Sequence, residues 1–316
     1  MRKPVAVAVT SRSFSRHPVL RAELLQRYPD TRFNDEGASL RGQSLVEFLD
    51  GRAKAITALE PIDEGLLRSL PELRVISKVG VGLDMVDLEA LERHDVQLAW
   101  APGTNSRSVA ELVVTLTLSL LRQIPKLSSE VRQGEWKQTK GRLLSDKTVG
   151  VIGYGNVGRD LAELVAPFGC QVLAYDVRPL PDPPGHVRAV PLEDLLREAD
   201  IVSLHVDLNE GTRRLLDAAR LSLMKPSAII VNTARGGLID EEALASMLGD
   251  GRLAGAALDV LEREPPTGSP LLGLDNALLT PHIGGSTDEA ILAMGRAAIA
   301  GLDSPIPVSE IKKPTA

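Results

Sequence analysis

The chain is short of cysteine, of long apolar runs and of excess positive charge, and each shortage excludes a class of protein. Cys170 is the sole cysteine in 316 residues, so no intrachain disulfide can form and a reducing compartment is the default. It lies at an apolar helix-to-strand junction, where it reads as a small packing residue. The longest apolar stretch, 112–121, is interrupted by Thr115, Thr117 and Ser119 and cannot span a bilayer. The N-terminus runs directly into the strand-like Val5–Val9, too short for a signal core, so a cytoplasmic protein without a membrane partner is expected. A net charge of −6 argues against a general phosphate-binding face and hence against a nucleic-acid partner. It does not exclude a small anionic substrate, which needs only local cations. The rest of the composition, 43% hydrophobic and 25% charged, is that of an ordinary globular chain, long enough for two domains.

The most informative stretch is 148–158. The apolar run Thr148–Ile152 leads into Gly153, Gly155 and Gly158 in the spacing G-x-G-x-x-G, followed by a helical pattern (Leu161, Ala162, Leu164, Val165, Phe168). A second apolar run, 171–175, then ends in Asp176. The order strand, tight turn, helix, strand is what a dinucleotide-binding unit requires. Gly153 permits the turn, Gly155 lets a pyrophosphate approach the backbone, and Gly158 lets helix and strand pack closely. The unpartnered N–H groups at the helix start suit a diphosphate. Asp176, about 20 residues on, is placed to accept hydrogen bonds from a ribose.

On either side of this unit the pattern alternates between strand and helix. Before it, strands are expected at 5–9, 53–57, 74–77 and 96–99, with helices at 19–27, 44–49, 63–70 and 88–94. After it, strands are expected at 201–205, 228–231, 253–258 and 277–279, with helices at 192–199, 218–223 and 241–248. Such alternation predicts parallel α/β sheets. A largely apolar helix is expected from Arg107 to Arg122, ended by Ile124-Pro125. A polar stretch should follow to Lys147, and 178–185 should be a turn-rich loop. A last helix should start with Ser286 and Glu289 in a capping box, and a proline-containing tail from Asp303 should be extended or loose.

Hydride transfer to or from a nicotinamide needs a cation to polarise the carbonyl and an acid/base with a pKa near neutral. His17, His94 and His186 lie in polar or turn contexts, which leaves His205, at the end of an apolar strand, and His282, on a glycine turn. Arg235 stands in a glycine-flanked turn after the buried run 229–231, where its planar fork could take a carboxylate bidentately. Glu264, in the rigid loop Glu262-Arg263-Glu264-Pro265-Pro266, could hold an imidazole and favour its charged form. Gly80-Val81-Gly82, directly after a strand, could offer backbone N–H groups to a carboxylate. No metal is expected.

From about Leu73 to Ser286 the chain resembles the D-isomer-specific 2-hydroxyacid dehydrogenase family, most of all its D-3-phosphoglycerate dehydrogenase branch. The motifs carrying the resemblance are Gly80-Val81-Gly82-Leu83-Asp84, Ala101-Pro102-Gly103-Thr104-Asn105-Ser106 through Glu111, and Gly153–Gly158. They continue with Asn232-Thr233-Ala234-Arg235-Gly236-Gly237, Ala256–Val260, Glu264-Pro265-Pro266 and Pro281-His282-Ile283-Gly284-Gly285. The resemblance implies two Rossmann-like domains with an active-site cleft between them. One is a flavodoxin-like substrate domain, 1–100 plus 287–316; the other is a doubly wound NAD-binding domain, 101–286. It implies an NAD-dependent oxidoreductase that interconverts a D-2-hydroxy acid and its 2-oxo acid, with 3-phosphoglycerate, hydroxypyruvate and glyoxylate as candidate substrates. By resemblance Arg235 orients the substrate, His282 moves the proton, and Glu264 holds His282 and raises its pKa. Substrate contacts fall on Lys78, Val81, Gly82 and Arg235. Cofactor contacts fall on Asn156, Val157, Asp176, His205, Val206, Thr233, Ala234, Arg235, Asp259, His282, Gly284 and Gly285, besides the three glycines.

Some positions depart from the family pattern. Met85 stands where Asn is frequent, and Val206-Asp207 where Thr-Pro is frequent. Asp207 and Asp176 together should disfavour a 2′-phosphate, although Arg178 is close by. The short C-terminal end predicts no regulatory module and no feedback by serine. A homodimer is implied, with the 107–122 helix in its interface. Two alternatives use the same scaffold: an NAD(H)-sensing corepressor-like binding protein, and an enzyme of phosphonate or formate oxidation.

Overall fold

The computed structural model describes residues 5–180 and 183–311. They divide into two compact units, 106–284 in one and the residues flanking that span in the other. The boundaries at 105/106 and 284/285 lie a few residues from those expected at 100/101 and 286/287.

In the unit that holds the N-terminus, short apolar runs become strands because parallel pairing buries both faces of a sheet. They are β1 (Val7–Val9), β2 (Thr31–Phe33), β3 (Lys54–Thr57), β4 (Val75–Lys78) and β5 (Gln97–Ala99). All pair in parallel in the order β2-β1-β3-β4-β5, the flavodoxin-like arrangement. β2 was not expected: only Phe33 of its three residues is buried, so its apolar signal is weak. The helix Asp288–Gly301 packs Met294, Ala298 and Ile299 into the same core as Leu20 and Leu24.

Two expectations for this unit are corrected. The last helix is capped by Thr287, whose Oγ1 accepts from the Ala290 N–H at 3.2 Å, so the Ser286–Glu289 box does not form. The tail is not loose through Ile311. Ile306 bridges Leu98 antiparallel, and Val308 and Ile311 are buried, because the apolar residues between Pro305 and the end of the described chain find a core to enter. Pro314 lies outside the described residues.

The other unit carries β6 (Thr148–Ile152), β7 (Gln171–Tyr175), β8 (Val187–Ala189), β9 (Ile201–Leu204), β10 (Ile229–Asn232), β11 (Gly255–Leu258) and β12 (Ala277–Leu279). They form one parallel sheet in the order β12-β11-β10-β9-β6-β7-β8. The chain reverses direction across the sheet between β6 and β9. In open α/β sheets ligands bind at such a switch point, outside the carboxyl ends of the strands. β8 was also missed by sequence reasoning; like β2 it buries only one of its three residues. Cys170 is 1% exposed and donates to the Leu144 carbonyl, and burial pushes its thiol pKa up, which suits a packing role.

The long apolar helix spans Ser106–Leu121 and buries Ala110, Val113, Leu116 and Leu121 against the Asn156–Val165 helix and β10–β11. Ile124-Pro125 does not open a polar loop, as expected. Gln123 turns left-handed and a second helix, Ile124–Arg132, starts at once, bent 60° from the first. Proline in a first helical turn gives up no hydrogen bond, so the same residue that stops one helix starts the next. Among the described residues no single helix is long and apolar enough to cross a membrane. Pro181 and Asp182 of the expected turn-rich loop lie outside the described residues.

Candidate active site

The glycine loop behaves as its spacing requires. Gly153 has φ +94°, and a Cβ there would stand 2.5 Å from the His205 carbonyl oxygen. At Gly158 a Cβ would meet the Gly153 carbonyl at 2.2 Å. Around Gly155, by contrast, none of the described residues comes within 4 Å of a Cβ position. That glycine precedes the Asn156–Val165 helix, which no side chain among the described residues caps. An open approach to uncapped N–H groups, with Asn156 and Val157 in the first turn, fits a diphosphate. The His205 N–H donates to the Ile152 carbonyl at 2.7 Å, and Val206 packs beside Gly153. The ends of β6 and β9 therefore meet at the switch point. Thr233, just past β10, keeps its Oγ1 buried without a partner among the described residues, a further sign that the site is built for a bound group.

Asp176 ends β7 with its side chain only 10% exposed. One oxygen accepts from the Tyr154 N–H at 2.9 Å, which ties the acid to the glycine loop. The other accepts from the Arg178 N–H at 3.0 Å and pairs with its guanidinium at 3.3 Å. A cavity of about 440 Å³ opens beside them, lined by Tyr154, Arg159, Asp176, Arg178 and His186 among others. The carboxylate keeps lone pairs for a ribose. Asp207 is exposed, and its carbonyl accepts from the Thr212 hydroxyl.

Loss of solvation separates the two candidate histidines, although His205 as a residue keeps intermediate exposure. His205 lies against Ser203 Oγ at 2.8 Å, and loss of solvation pushes its imidazole pKa down to about 3. A ring with so low a pKa is a poor proton acceptor in the physiological range. Its stability effect has a defined sign. The folded pKa lies below the ordinary value of 6.5, so the neutral ring's contribution is complete above pH 6.5 and is lost as the pH falls towards 3. Urea midpoints measured at pH 7 and pH 4 should therefore fall more steeply for the wild type than for His205→Gln; parallel slopes would contradict the assignment.

Arg235, Glu264 and His282 follow β10, β11 and β12, three neighbouring strands. His282 Nδ1 lies 2.8 Å from Glu264 Oε2, and the other Glu264 oxygen accepts from the Leu261 N–H at 3.3 Å. Both side chains are about two-fifths exposed, within reach of a ligand. His282 has φ +54°, unusual for a residue with a side chain. The turn is held against that strain by Asp259, which is 1% exposed. The Asp259 carbonyl accepts from the His282 N–H at 2.9 Å. Its carboxylate accepts from the N–H groups of Ile283 and Gly284, each at 2.8 Å, and from Thr280 Oγ1 at 2.6 Å. Ser108 Oγ donates to the Gly284 carbonyl from the opposite side. Gly285 is the first residue of the other unit.

The Arg235 and Glu264 loops abut through backbone. A Cβ on Gly236 would stand 1.9 Å from the Leu261 carbonyl carbon and 2.3 Å from the Glu262 nitrogen. Sequence reasoning missed two structural roles here: that of Gly236, and that of Asn232, which closes β10 and hydrogen-bonds into the Arg235 turn. The available signal for Asn232 was a polar residue at the end of an otherwise apolar run.

In the N-terminal unit, Gly80 has φ +102° and begins the turn after β4. The Trp100 indole N–H donates to the Val81 carbonyl at 2.9 Å, fixing the peptide next to Gly82. The carbonyl of Met85 accepts from the Ile62 N–H at 2.7 Å, a main-chain anchor that any residue could supply. Lys78 is 6% exposed, and its ammonium donates to the Ala58 carbonyl, so it is not a solvated strand-end lysine.

Comparison with known proteins agrees with this geometry. Residues 114–284 match the model of the D-isomer specific 2-hydroxyacid dehydrogenase NAD-binding domain. The chain is 42% identical over 229 residues to a hydroxypyruvate reductase of Thermotoga maritima, covering 71% of this chain and 74% of that one. It is 41% identical over 257 residues to a D-3-phosphoglycerate dehydrogenase of Methanocaldococcus jannaschii, covering 79% of this chain but only 49% of that protein. Among solved structures it is similar to a D-lactate dehydrogenase of Aquifex aeolicus complexed with NAD and lactic acid, with a TM-score of 0.82, 25% identity and coverage of 95% and 94%. With its glycine loop, its acid at the end of β7 and its histidine–glutamate pair, the chain belongs to the NAD-binding, D-isomer specific 2-hydroxyacid dehydrogenase family of oxidoreductases.

Proposed function

We propose that the protein interconverts a small D-2-hydroxy acid and its 2-oxo acid with NAD, and that hydroxypyruvate and glyoxylate are better substrates than 3-phosphohydroxypyruvate. The observation that carries the reading is the 2.8 Å pair of His282 and Glu264, in loops that follow strands next to β10, the strand that precedes Arg235. Bound NAD supplies the hydride acceptor at its nicotinamide ring. The chain's own residues do the rest. With Nδ1 held by the Glu264 carboxylate, the neutral His282 ring carries its lone pair on Nε2, which takes the hydroxyl proton as the carbonyl forms. In the reverse direction the same nitrogen returns it. Glu264 stabilises the imidazolium between these events. Arg235 pairs with the substrate carboxylate and carbonyl. The preference for an uncharged tail rests on Lys78, whose ammonium already donates to the Ala58 carbonyl.

We further propose that NAD is preferred to NADP because the Asp176 carboxylate would accept from a ribose hydroxyl and repel a 2′-phosphate, and that two chains associate in the cytoplasm. Support for association comes from Ile124, Val131, Trp136 and Leu143, which expose apolar side chains along one stretch, Trp136 by 83%. A panel of 2-oxo acids with NADH and NADPH, followed by absorbance, tests the reading on protein weighed by light scattering. NADH should be oxidised with hydroxypyruvate or glyoxylate at a kcat/KM on the order of 10⁴ M⁻¹ s⁻¹ or more. NADPH should serve roughly ten-fold less well, a difference of about 1.4 kcal/mol, and the mass should be that of two chains. No oxidation with any member of the panel would favour an NAD-sensing binding protein instead.

A further inference from the structure

We propose that Asn232 is a positioning residue, acting through the backbone of the 233–236 turn to aim the Arg235 guanidinium. The inference rests on the function proposed above. Asn232 is the last residue of β10 and is 1% exposed, in a strand whose other members are Ile229, Ile230 and Val231. A buried amide is destabilising if its hydrogen bonds are left unmade. Here the bonds go to the turn that follows. Asn232 Oδ1 accepts from the Ala234 N–H at 3.0 Å, and Nδ2 donates to the Arg235 carbonyl at 2.8 Å. The side chain thus spans the turn and restrains the 233–234 and 235–236 peptide groups, which flank the 234–235 peptide carrying the Ala234 carbonyl.

The same residue meets the guanidinium. Arg235 Nη1 donates to the Ala234 carbonyl at 2.6 Å. Ala234 is therefore gripped by Asn232 at its N–H, while its carbonyl receives the cation. Without the amide the turn is free to rotate, and the carbonyl that receives Nη1 moves with it. The Asn232 backbone carbonyl also accepts from the Asp259 N–H at 2.9 Å, so the start of this turn is continuous with the residue that holds the His282 turn. The side-chain contribution is separable from that link, because substitution leaves the carbonyl in place.

The prediction is a coupling as well as a loss. Asn232→Ala should lower kcat/KM for hydroxypyruvate and NADH by about 10²-fold, the scale of a reacting group displaced by about 1 Å. The Kd for NADH, read by fluorescence, should stay within about three-fold of the wild type, a shift of under 1 kcal/mol. In an Arg235→Ala background the same substitution should cost less than about three-fold, because residues acting as a unit are not additive. A merely structural role would give equal losses in both backgrounds, and that result overturns the proposal, as does an Asn232→Ala enzyme within three-fold of wild type. If Asn232→Ala fails to fold, Asn232→Asp takes its place in the cycle: it keeps the volume and the acceptor for Ala234 but cannot donate to the Arg235 carbonyl. Turnover that survives Arg235→Ala sinks the functional reading itself. A large Arg235→Ala loss with an additive Asn232 loss sinks only the positioning role.

Discussion

His282→Ala is expected to reduce kcat for 2-oxo acid reduction by about 10³-fold, within the range general acid–base catalysis supplies. NADH affinity should stay close to that of the wild type. The ring is the group placed to give the proton: Nδ1 is engaged by Glu264 at 2.8 Å, which directs Nε2 away from the carboxylate. The other histidine at a strand end, His205, is a poor substitute, because loss of solvation lowers its imidazole pKa. Arg235→Ala should differ in kind, raising KM as well as lowering kcat, since in the proposed mechanism its fork binds the carboxylate in the ground state and polarises the carbonyl in the transition state. Steady-state kinetics with hydroxypyruvate separates the two signatures. If both variants retain near-normal turnover on the best substrate, these roles are wrong.

Gly236→Ala is expected to be the most damaging single-methyl change in the molecule's active-site loops. The added carbon would lie 1.9 Å from the Leu261 carbonyl carbon and 2.2 Å from its oxygen. Both are backbone atoms, so no rotamer change relieves the overlap, and one loop must move. Overpacking against immovable neighbours destabilises by about 3 kcal/mol or more. For a chain of this size that corresponds to a fall in Tm of roughly 5–10 °C. The displaced loops carry Arg235 on one side and Glu264 on the other, so kcat/KM should also fall by at least about 10²-fold. Thermal unfolding and kinetics on the same preparation read both effects. Wild-type values in both would show that the loops are not clasped at this glycine. Gly155→Ala provides the contrast. Its Cβ would meet no described atom within 4 Å, so stability should hold while NADH affinity falls.

What could be read from the sequence was mostly local. The G-x-G-x-x-G spacing and Asp176 lie within one strand–helix–strand unit, and each glycine's role follows from a few neighbouring residues. Long apolar runs such as 148–152 and 229–231 declared their strands, and most helices were located within a residue or two. The misses share a cause. β2 and β8 each bury one residue in three, and Pro125 both ends one helix and begins another. The segment 306–311 is apolar enough to pack only because a core is there to receive it.

The sequence by itself determined that this is an α/β protein with a dinucleotide loop in mid-chain, because turn glycines, apolar period and strand-end acids act over short separations. Its motifs also named Arg235, Glu264 and His282. Only the tertiary structure decided how those residues work. They follow β10, β11 and β12, and it is the parallel order of these strands that places Glu264 and His282 2.8 Å apart. The folded chain's own environment lowered the pKa of His205 by desolvation, showed Lys78 to be enclosed, and revealed Asn232 and Asp259 as the buried polar groups that hold the Arg235 and His282 turns. Hydrogen-bond geometry and desolvation arise between residues distant in the chain, so no reading of spacing could have supplied them.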